Sequence, residues 1–329
     1  MIRRQQRTIR PPACQRTLCV VILSVLILLC VANGVASAAD NVAIIAIDQE
    51  PTTIRTIKGI KKAINRFDVE VAFHEAYLSG DQTADKQSLA ALQDFNPSVF
   101  VTIGSYATEK IAEAFPQHPI IFANVINPQA SGFVASMENP GGDITGASLD
   151  IPPEMQFKYL QKVVGSIKTI GVLYSSETEN IIRQATVAAT ALGMTLIAVR
   201  VDSEKDIPRS IDSLCQVSDV LWSVADRKVY TPQSTRHIIL QTLRNKVPLM
   251  GFSQSLVEAG GLFTLDFDFK DVGRQAGDIV VRVLHGSLPS QIKVTTPGII
   301  YFKYNEKTAG QIQIEIPDEL LAIAKEVIK

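Results

Sequence analysis

Two stretches of the chain run through the same order of elements. IAIDQEPTTIRTIKGIKKAINRFDVEVAFHEA (45–76) and GVLYSSETENIIRQATVAATALGMTLIAVRVDS (171–203) each read as strand, polar loop, helix, break, strand. After each comes a helix, then a strand ending in a small-polar loop (VTIGSYAT; WSVADRKV). Another helix and a proline-introduced strand follow (HPIIFANV; VPLMGFSQ). Residue identity between the halves is low, so the order of elements is what repeats. Strands alternating with helices in this way build βαβ units around a parallel sheet, and a doubled unit predicts two α/β halves. The division falls near GGDITGASLDIPPE (141–154), whose glycines and paired prolines predict a hinge.

Predicted strands lie at 41–47, 69–76, 98–103, 119–125, 169–174, 195–201, 220–224, 248–252 and 262–267. Several are apolar without strict alternation, as strands covered on both faces should be. Helices are predicted over 52–66, 84–94, 106–115, 154–164, 179–192, 204–214, 232–246, 272–285 and 317–328. The last starts after Pro317 and carries an apolar face of Leu320, Leu321, Ile323, Ala324 and Val327. Two α/β halves joined end to end can turn the carboxyl ends of their strands toward each other, and ligands bind at that edge of open parallel sheets. Such a chain suits closure on a small molecule.

The N-terminal segment stands apart from this pattern. Arg3, Arg4, Arg7, Arg10 and Arg16 precede an apolar run from Leu18 to Ala32, and Ala36 and Ala38 form an A-x-A signature. A basic start, a short apolar stretch and small residues predict a secretory signal peptide over 1–38; an uncleaved anchor usually wants about 20 apolar residues. Cys30 follows Leu28-Leu29 rather than a small residue, so no lipobox is present and a soluble periplasmic protein is expected. Cleavage would remove Cys14, Cys19 and Cys30, leaving Cys215 as a small buried hydrophobe with no disulfide partner. It would also leave 27 basic against 33 acidic residues, a net charge of −6. That balance argues against nucleic acid as a partner.

Catalytic patterns are missing. A nucleophile elbow wants G-x-S-x-G, but around Ser105 the chain reads Ile103-Gly104-Ser105-Tyr106-Ala107. None of the four histidines (His74, His118, His237, His285) has a partner at metal-ligand spacing. No phosphate loop or dinucleotide fingerprint occurs. Neither an enzyme nor a cofactor or metal is expected.

The segment VFVTIGSYATEKIAE (99–113) fits binding better. A helix starting near Tyr106 leaves N–H groups unpaired at its positive end, where a carboxylate is stabilised. Ser105 either caps that helix or offers its hydroxyl to a ligand, with Thr108 one turn in. Asp226, just past VLWSV in the other half, is placed to receive an ammonium group. A carboxylate pole and an ammonium pole together suit an amino acid.

Several segments together resemble a known family. They are KGIKKAI (58–64), PSVFVTIGSYATEKIAEAFPQHPIIFANVINPQASGFV (97–134), NPGGDITGASLDIPPEMQFKYLQKVVGSIKTIGVLYSSE (139–177), DVGRQAGDIVVRVLHGSLP (271–289) and IPDELLAIAKEVI (316–328). The order and spacing are similar to those of periplasmic substrate-binding proteins of ABC importers, in the family that includes tryptophan- and tyrosine-binding members. The resemblance implies the type I fold, two Rossmann-like lobes with parallel sheets joined by crossover strands. It implies that 273–285 is a helix returning to the first lobe. The lobes would then be 39–147 with 266–290, and 148–265 with 291–329. It places the ligand in the cleft, against Asp48, Gln49, Ser105, Tyr106 and the fourth-strand loop. Tyr174, Ser175, Asp226 and the Phe252-Ser253-Gln254 loop would complete the site from the second lobe.

Two departures bear on the ligand. Asn127 stands where the family commonly has an aspartate in V-x-D-P, which weakens an ammonium contact there. The elbow reads G-S-Y where G-T-P is frequent, so Tyr106 would border the pocket. The expected solute is an amino acid, with an aromatic one in view; a related small carboxylate or an amide-bearing compound stays open. The expected role is that of a monomeric binding protein serving an inner-membrane ABC permease. A sensor of the same fold, feeding a membrane histidine kinase or chemoreceptor, is the alternative, and a neighbouring permease or kinase gene would separate the two.

Overall fold

A computed structural model of the chain describes residues 40–67 and 70–329. The predicted signal peptide and its cleavage site lie outside the described residues. Among the described residues, no helix is long and apolar enough to cross a membrane.

The strands are β1 (Asp40–Ala46), β2 (Val71–Tyr77), β3 (Val99–Ile103), β4 (Ile120–Val125), β5 (Ile144–Ser148), β6 (Thr169–Tyr174), β7 (Thr195–Arg200), β8 (Val220–Trp222), β9 (Leu249–Gly251), β10 (Phe263–Phe267), β11 (Ile300–Asn305) and β12 (Ala324–Ile328). The helices are α1 (Pro51–Ile64), α2 (Gln82–Phe95), α3 (Ser105–Ala114), α4 (Pro153–Val164), α5 (Glu179–Ala191), α6 (Ile207–Val217), α7 (Pro232–Asn245), α8 (Gln254–Glu258), α9 (Phe269–Leu284), α10 (Glu306–Ile312) and α11 (Asp318–Leu321).

The strands form two sheets, β2-β1-β3-β4-β5 and β12-β11-β10-β9-β8-β6-β7. Pairing is parallel throughout except between β10 and β11. Reading β7-β6-β8-β9-β10 against β2-β1-β3-β4-β5 gives one topology twice, so the repeat in the sequence is a repeat of sheet order.

Both faces of each sheet are covered, which is why the strands read as unbroken apolar runs. In β1, Val42 and Ile44 pack with Ile57, Ile60, Val272 and Val280 of α1 and α9. Their neighbours Ala43 and Ile45 pack on the opposite layer with Leu92, Ala107 and Ile111 of α2 and α3. The second sheet does the same: Val220 and Trp222 face α4 and α5, and Leu221 faces α6 and α7. Each such fully buried aliphatic side chain contributes about 1.5–3 kcal/mol. Cys215 is a buried thiol with no disulfide partner among the described residues, in the second of these layers, and burial pushes its pKa up to about 11.

Helix α9 leaves β10 of the second sheet and packs on α1 over the first. The helices meet backbone to backbone: a Cβ on Gly273 would lie 2.1 Å from the Thr56 carbonyl oxygen. Three connections therefore pass between the halves, at 149–152, at 267–268 and at 296–299. The last begins where Thr295 bridges in parallel to Ala147 of β5.

Two sequence-based expectations are corrected. The predicted hinge, 141–154, is narrowed: the crossing to the second half is confined to 149–152, while 144–148 is β5, the edge strand of the first sheet, paired with β4 from Ile120↔Ile144 onward. Its Gly146 is needed because a Cβ there would meet the Phe122 carbonyl oxygen at 2.1 Å; the bend starts only after Ser148. The predicted terminal helix over 317–328 is one turn (α11) followed by β12, which pairs in parallel with β11. Of its expected apolar face only Leu320 is fully buried, while Leu321, Ile323 and Val327 are exposed. The open edge of β11 offers backbone partners that override the local helical pattern.

Candidate functional site

The order 2-1-3-4-5 reverses direction between β1 and β3, and its counterpart between β6 and β8, so loops at those strand ends diverge and leave a crevice. The loops after β1, β6 and β8 carry Asp48, Gln49, Ser175 and Asp226, and Ser105 opens the helix that follows β3.

Asp226 is not free to meet a ligand. It is 2% exposed and accepts from the Ser175 N–H (2.8 Å), the Ser175 hydroxyl (3.0 Å), the Thr178 hydroxyl (2.6 Å) and the N–H groups of Lys228 (3.0 Å) and Val229 (3.3 Å). Burial alone would raise its pKa; hydrogen bonds led by Thr178 and Ser175 outweigh this and hold it below the usual carboxylate range. Its work is to pin the loop after β6 to the loop after β8, and Ser175 is spent in the same bonds. Tyr174 stays half-buried against the core of the second half.

The elbow is also rearranged relative to expectation. Gly104, at φ 86°, is the N-cap of α3, so Ser105 is the first helical residue and its exposed hydroxyl caps nothing. Thr108 is buried, with its hydroxyl bonded to the Gly104 carbonyl and 2.9 Å from that of Thr102, so it offers nothing to a ligand. Tyr106 turns its hydroxyl to Asp85 Oδ2 at 2.9 Å and packs, partly buried, against the first half's core. Asp48 accepts from the Glu50 N–H (3.0 Å) and the Thr53 hydroxyl (2.6 Å), organising the start of α1; Gln49 is exposed beside it.

The concave surface lies instead around Asp150. A cavity of about 340 Å³ sits over the carboxyl ends of β8, β9 and β10, walled by Trp222, Val224, Phe252, Ser253, Gln254 and Asp266 and by Ile126 from the loop after β4. A second, of about 650 Å³, is bounded by Gln129, Asn180, Gln184, Gln275, Lys293 and Thr295. Asn127, Asp150, Ile151 and Ile181 belong to both.

Asp150 lies in the first connection between the halves. Its Oδ2 accepts from the Ser148 hydroxyl (2.7 Å) and the Asn127 N–H (2.9 Å). Burial pushes its pKa up, against the pull of those two bonds. Among the described residues no lysine or arginine pairs with it. A half-buried carboxylate without a counter-charge in a cleft is what a cationic group would complete.

The loop that presents Asn127 is strained. Asn124 and Asn127 hold φ of 58° and 51°, and the β4–β5 register shifts between Ala123 and Val125. The Asn124 amide exchanges hydrogen bonds with the Thr56 hydroxyl at 2.9 and 3.2 Å, fixing the bulge to α1. Between the two asparagines Ile126 is thrown out to 55% exposure at the cavity wall. Left-handed residues held this way cluster at ligand sites.

Opposite them, Trp222 donates its indole N–H to Gln156 Oε1 (2.7 Å), and Gln156 Nε2 donates to the Ile151 carbonyl (2.6 Å). The cavity floor and the first connection are thus one hydrogen-bonded unit. Phe252 stands edge-on to Tyr230 at 5.1 Å. Ser253 caps α8 through the Leu256 N–H, and Gln254 is bound to Lys303. Asn127, Phe252, Ser253 and Gln254 are the sequence-derived site residues that line these two cavities; Asp150, Gln156 and Trp222 were not among them. An acidic residue at a strand's carboxyl end, in SLDIPP, was the available signal for Asp150.

Known proteins share the overall fold. A curated tyrosine-binding protein of Clostridioides difficile is 22% identical over 285 residues, covering 84% of this chain and 81% of its own. The ligand-free, open structure of a substrate binding protein with adhesive properties from Clostridium difficile superposes with a TM-score of 0.70 at 20% identity, over 88% of this chain and 100% of that one. An ABC domain in complex with L-Trp from Streptococcus pneumonia gives a TM-score of 0.57 at 24% identity, over the same shares. The architecture is the type I periplasmic binding protein fold. The model of the family described as "ABC transporter substrate binding protein" matches residues 41–328, and the chain belongs to that family.

Proposed function

We propose that this protein is the solute-binding component of an ABC importer, capturing a small amine-bearing solute, best matched by an amino acid, between two lobes. The observation that carries this reading is Asp150, a half-buried carboxylate without a cationic partner among the described residues, at the wall common to both cavities. It takes the role that sequence reasoning gave to Asp226. The unpaired N–H groups at the start of α3, with the free Ser105 hydroxyl, line neither cavity and would supply an anion-stabilising pole only in a closed form. Trp222, Phe252 and Phe267 give the smaller cavity an aromatic wall.

The tyrosine-binding relative and the L-Trp complex make aromatic amino acids the first solutes to examine. Asn127, Ser253 and Gln254 would touch the solute; Asp48 and Gln49 would meet it only in a closed form, and Tyr106, Thr108, Tyr174 and Ser175 act by shaping the loops. Lobe boundaries near 147 and 266 are retained, but the Ala147–Thr295 bridge favours moving the last one from 290 to about 295. The protein would act as a monomer in a periplasm and deliver to an inner-membrane permease, with no catalytic step.

A thermal-shift screen of the purified protein against amino acids, small carboxylates and amides tests the reading. A solute at 100 times its dissociation constant adds about 2.7 kcal/mol of stability. Stabilisation by amino acids is expected. Stabilisation by carboxylates lacking an amine, with none by amino acids, would overturn the solute class.

A further inference from the structure

Lys303 sits on β11, opposite Thr264 of β10, with its side chain only 10% exposed. Its ammonium has three partners: Gln254 Oε1 at 2.6 Å, Asp266 Oδ2 at 2.7 Å and Glu326 Oε2 at 3.5 Å. Gln254 and Asp266 line the smaller cavity, whereas Lys303 and Glu326 stand behind them. The contacts close into a ring, because Gln254 Nε2 also donates to Glu326 Oε1 at 3.0 Å and to Glu258 at 2.9 Å. With its oxygen on a lysine and its nitrogen on two carboxylates, the Gln254 amide has one orientation. Asp266 is held at both ends too, since its Oδ1 accepts the Phe267 N–H at 2.8 Å, where the chain leaves for the second connection.

Taking an ammonium this far out of water is costly, and an apolar side chain of similar volume in such a place is often as stabilising or more so. The charge therefore needs a reason other than stability. The reason on hand is geometric: it orients two polar groups of a binding wall, and a site is only as well defined as the groups behind it. Glu326 extends the bracing to β12, so that strand supports the cleft although none of its residues lines either of the two cavities.

We propose that Lys303 is a positioning residue of the binding cleft and that β12, through Glu326, is part of the binding unit. The proposal rests on the smaller cavity being where the solute sits. Without Lys303, the Gln254 amide can rotate, and Asp266 becomes an unpaired carboxylate at the cavity wall. Solute recognition is then lost even where the fold survives.

The test compares wild type with Lys303→Met, Lys303→Arg and Glu326→Gln in two measurements. Calorimetric titration with L-tyrosine and L-tryptophan reads affinity; hydrogen exchange of the ligand-free protein reads the amides of 254–258 and 263–268. Groups that orient a first shell of contacts are worth about tenfold or more in metal sites, and a similar loss is expected for Lys303→Met, with faster exchange at Phe267. Lys303→Arg should recover most of the affinity. Glu326→Gln, which removes a partly exposed charge, should cost about threefold. A purely structural lysine would lower the melting temperature without changing affinity well below the transition, and that result overturns the proposal. So does unchanged exchange at Phe267. If Lys303→Met does not fold, Glu326→Gln decides, and affinity within experimental error of wild type overturns the proposal. If wild type binds neither amino acid, the functional reading fails separately, and exchange at Phe267 in Lys303→Met still decides whether the brace exists.

Discussion

Ser175 presents both its backbone N–H and its hydroxyl to Asp226, at 2.8 and 3.0 Å, across 51 residues of sequence. With Thr178 and the N–H groups of Lys228 and Val229 also bonded to it, the carboxylate fastens two loops of the second half at the cleft edge. Asp226→Ala leaves these donors unpaired in a buried place and should destabilise the protein by about 3 kcal/mol in chemical denaturation. The pH dependence has a definite sign. The folded-state pKa is lowered, so the contribution is present above the unfolded carboxylate range and is lost as pH falls through the folded value. Wild type should therefore lose more stability on acidification than Asp226→Asn, and equal acid sensitivity would contradict this.

At the elbow, Gly104 rather than Ser105 caps α3. Ser105→Ala should leave the melting curve within about 0.5 kcal/mol of wild type. If the hydroxyl meets the solute, affinity should fall by about 1–2 kcal/mol. A loss of stability with affinity intact would return Ser105 to a purely local role.

Trp222 is the single tryptophan of the chain and lines the smaller cavity. Its fluorescence is therefore a direct report on that wall. Gln156→Ala removes the acceptor of the indole N–H and should shift the emission while costing about 1–3 kcal/mol of stability. Saturating solute should change the wild-type emission as well. Emission that responds to the substitution but not to a bound solute would place the solute elsewhere.

The repeated order of elements made β1–β4 and β6–β10 legible, because a parallel strand covered on two faces announces itself as an apolar run, whereas β5 and β11 at the sheet margins were not foreseen. The site was less so. Asp150 and Asp226 look alike in sequence, each an acidic residue just beyond a strand. What separates them is the supply of donors: Asp226 collects five from Ser175, Thr178, Lys228 and Val229, whereas Asp150 receives one hydroxyl and one backbone N–H. Those donors come from distant segments, and no local pattern reveals them. Tyr106 is similar, since its orientation depends on Asp85, 21 positions away. The terminal strand was hidden for a related reason: IPDELLAIAKEVI has good helix formers, and only the free edge of β11 makes Ala324–Ile328 extend.

The central claim is that Asp150 receives the amine of a solute held in the cleft. Its pKa is raised by burial, so its charge is lost on acidification sooner than that of an ordinary aspartate. In the ligand-free protein the same raised value means that this group's contribution to stability declines as pH rises through it. The most direct measurement is calorimetric titration of wild type and Asp150→Asn with L-tyrosine and L-tryptophan from neutral pH down into the carboxylate range. The account predicts binding by wild type that weakens toward acid pH. It also predicts at least about a tenfold loss in Asp150→Asn, as expected for removing a charged partner from a semi-buried pair, with the variant as stable as wild type or more so. Binding that is equally tight in both proteins, and insensitive to pH over that range, would contradict it.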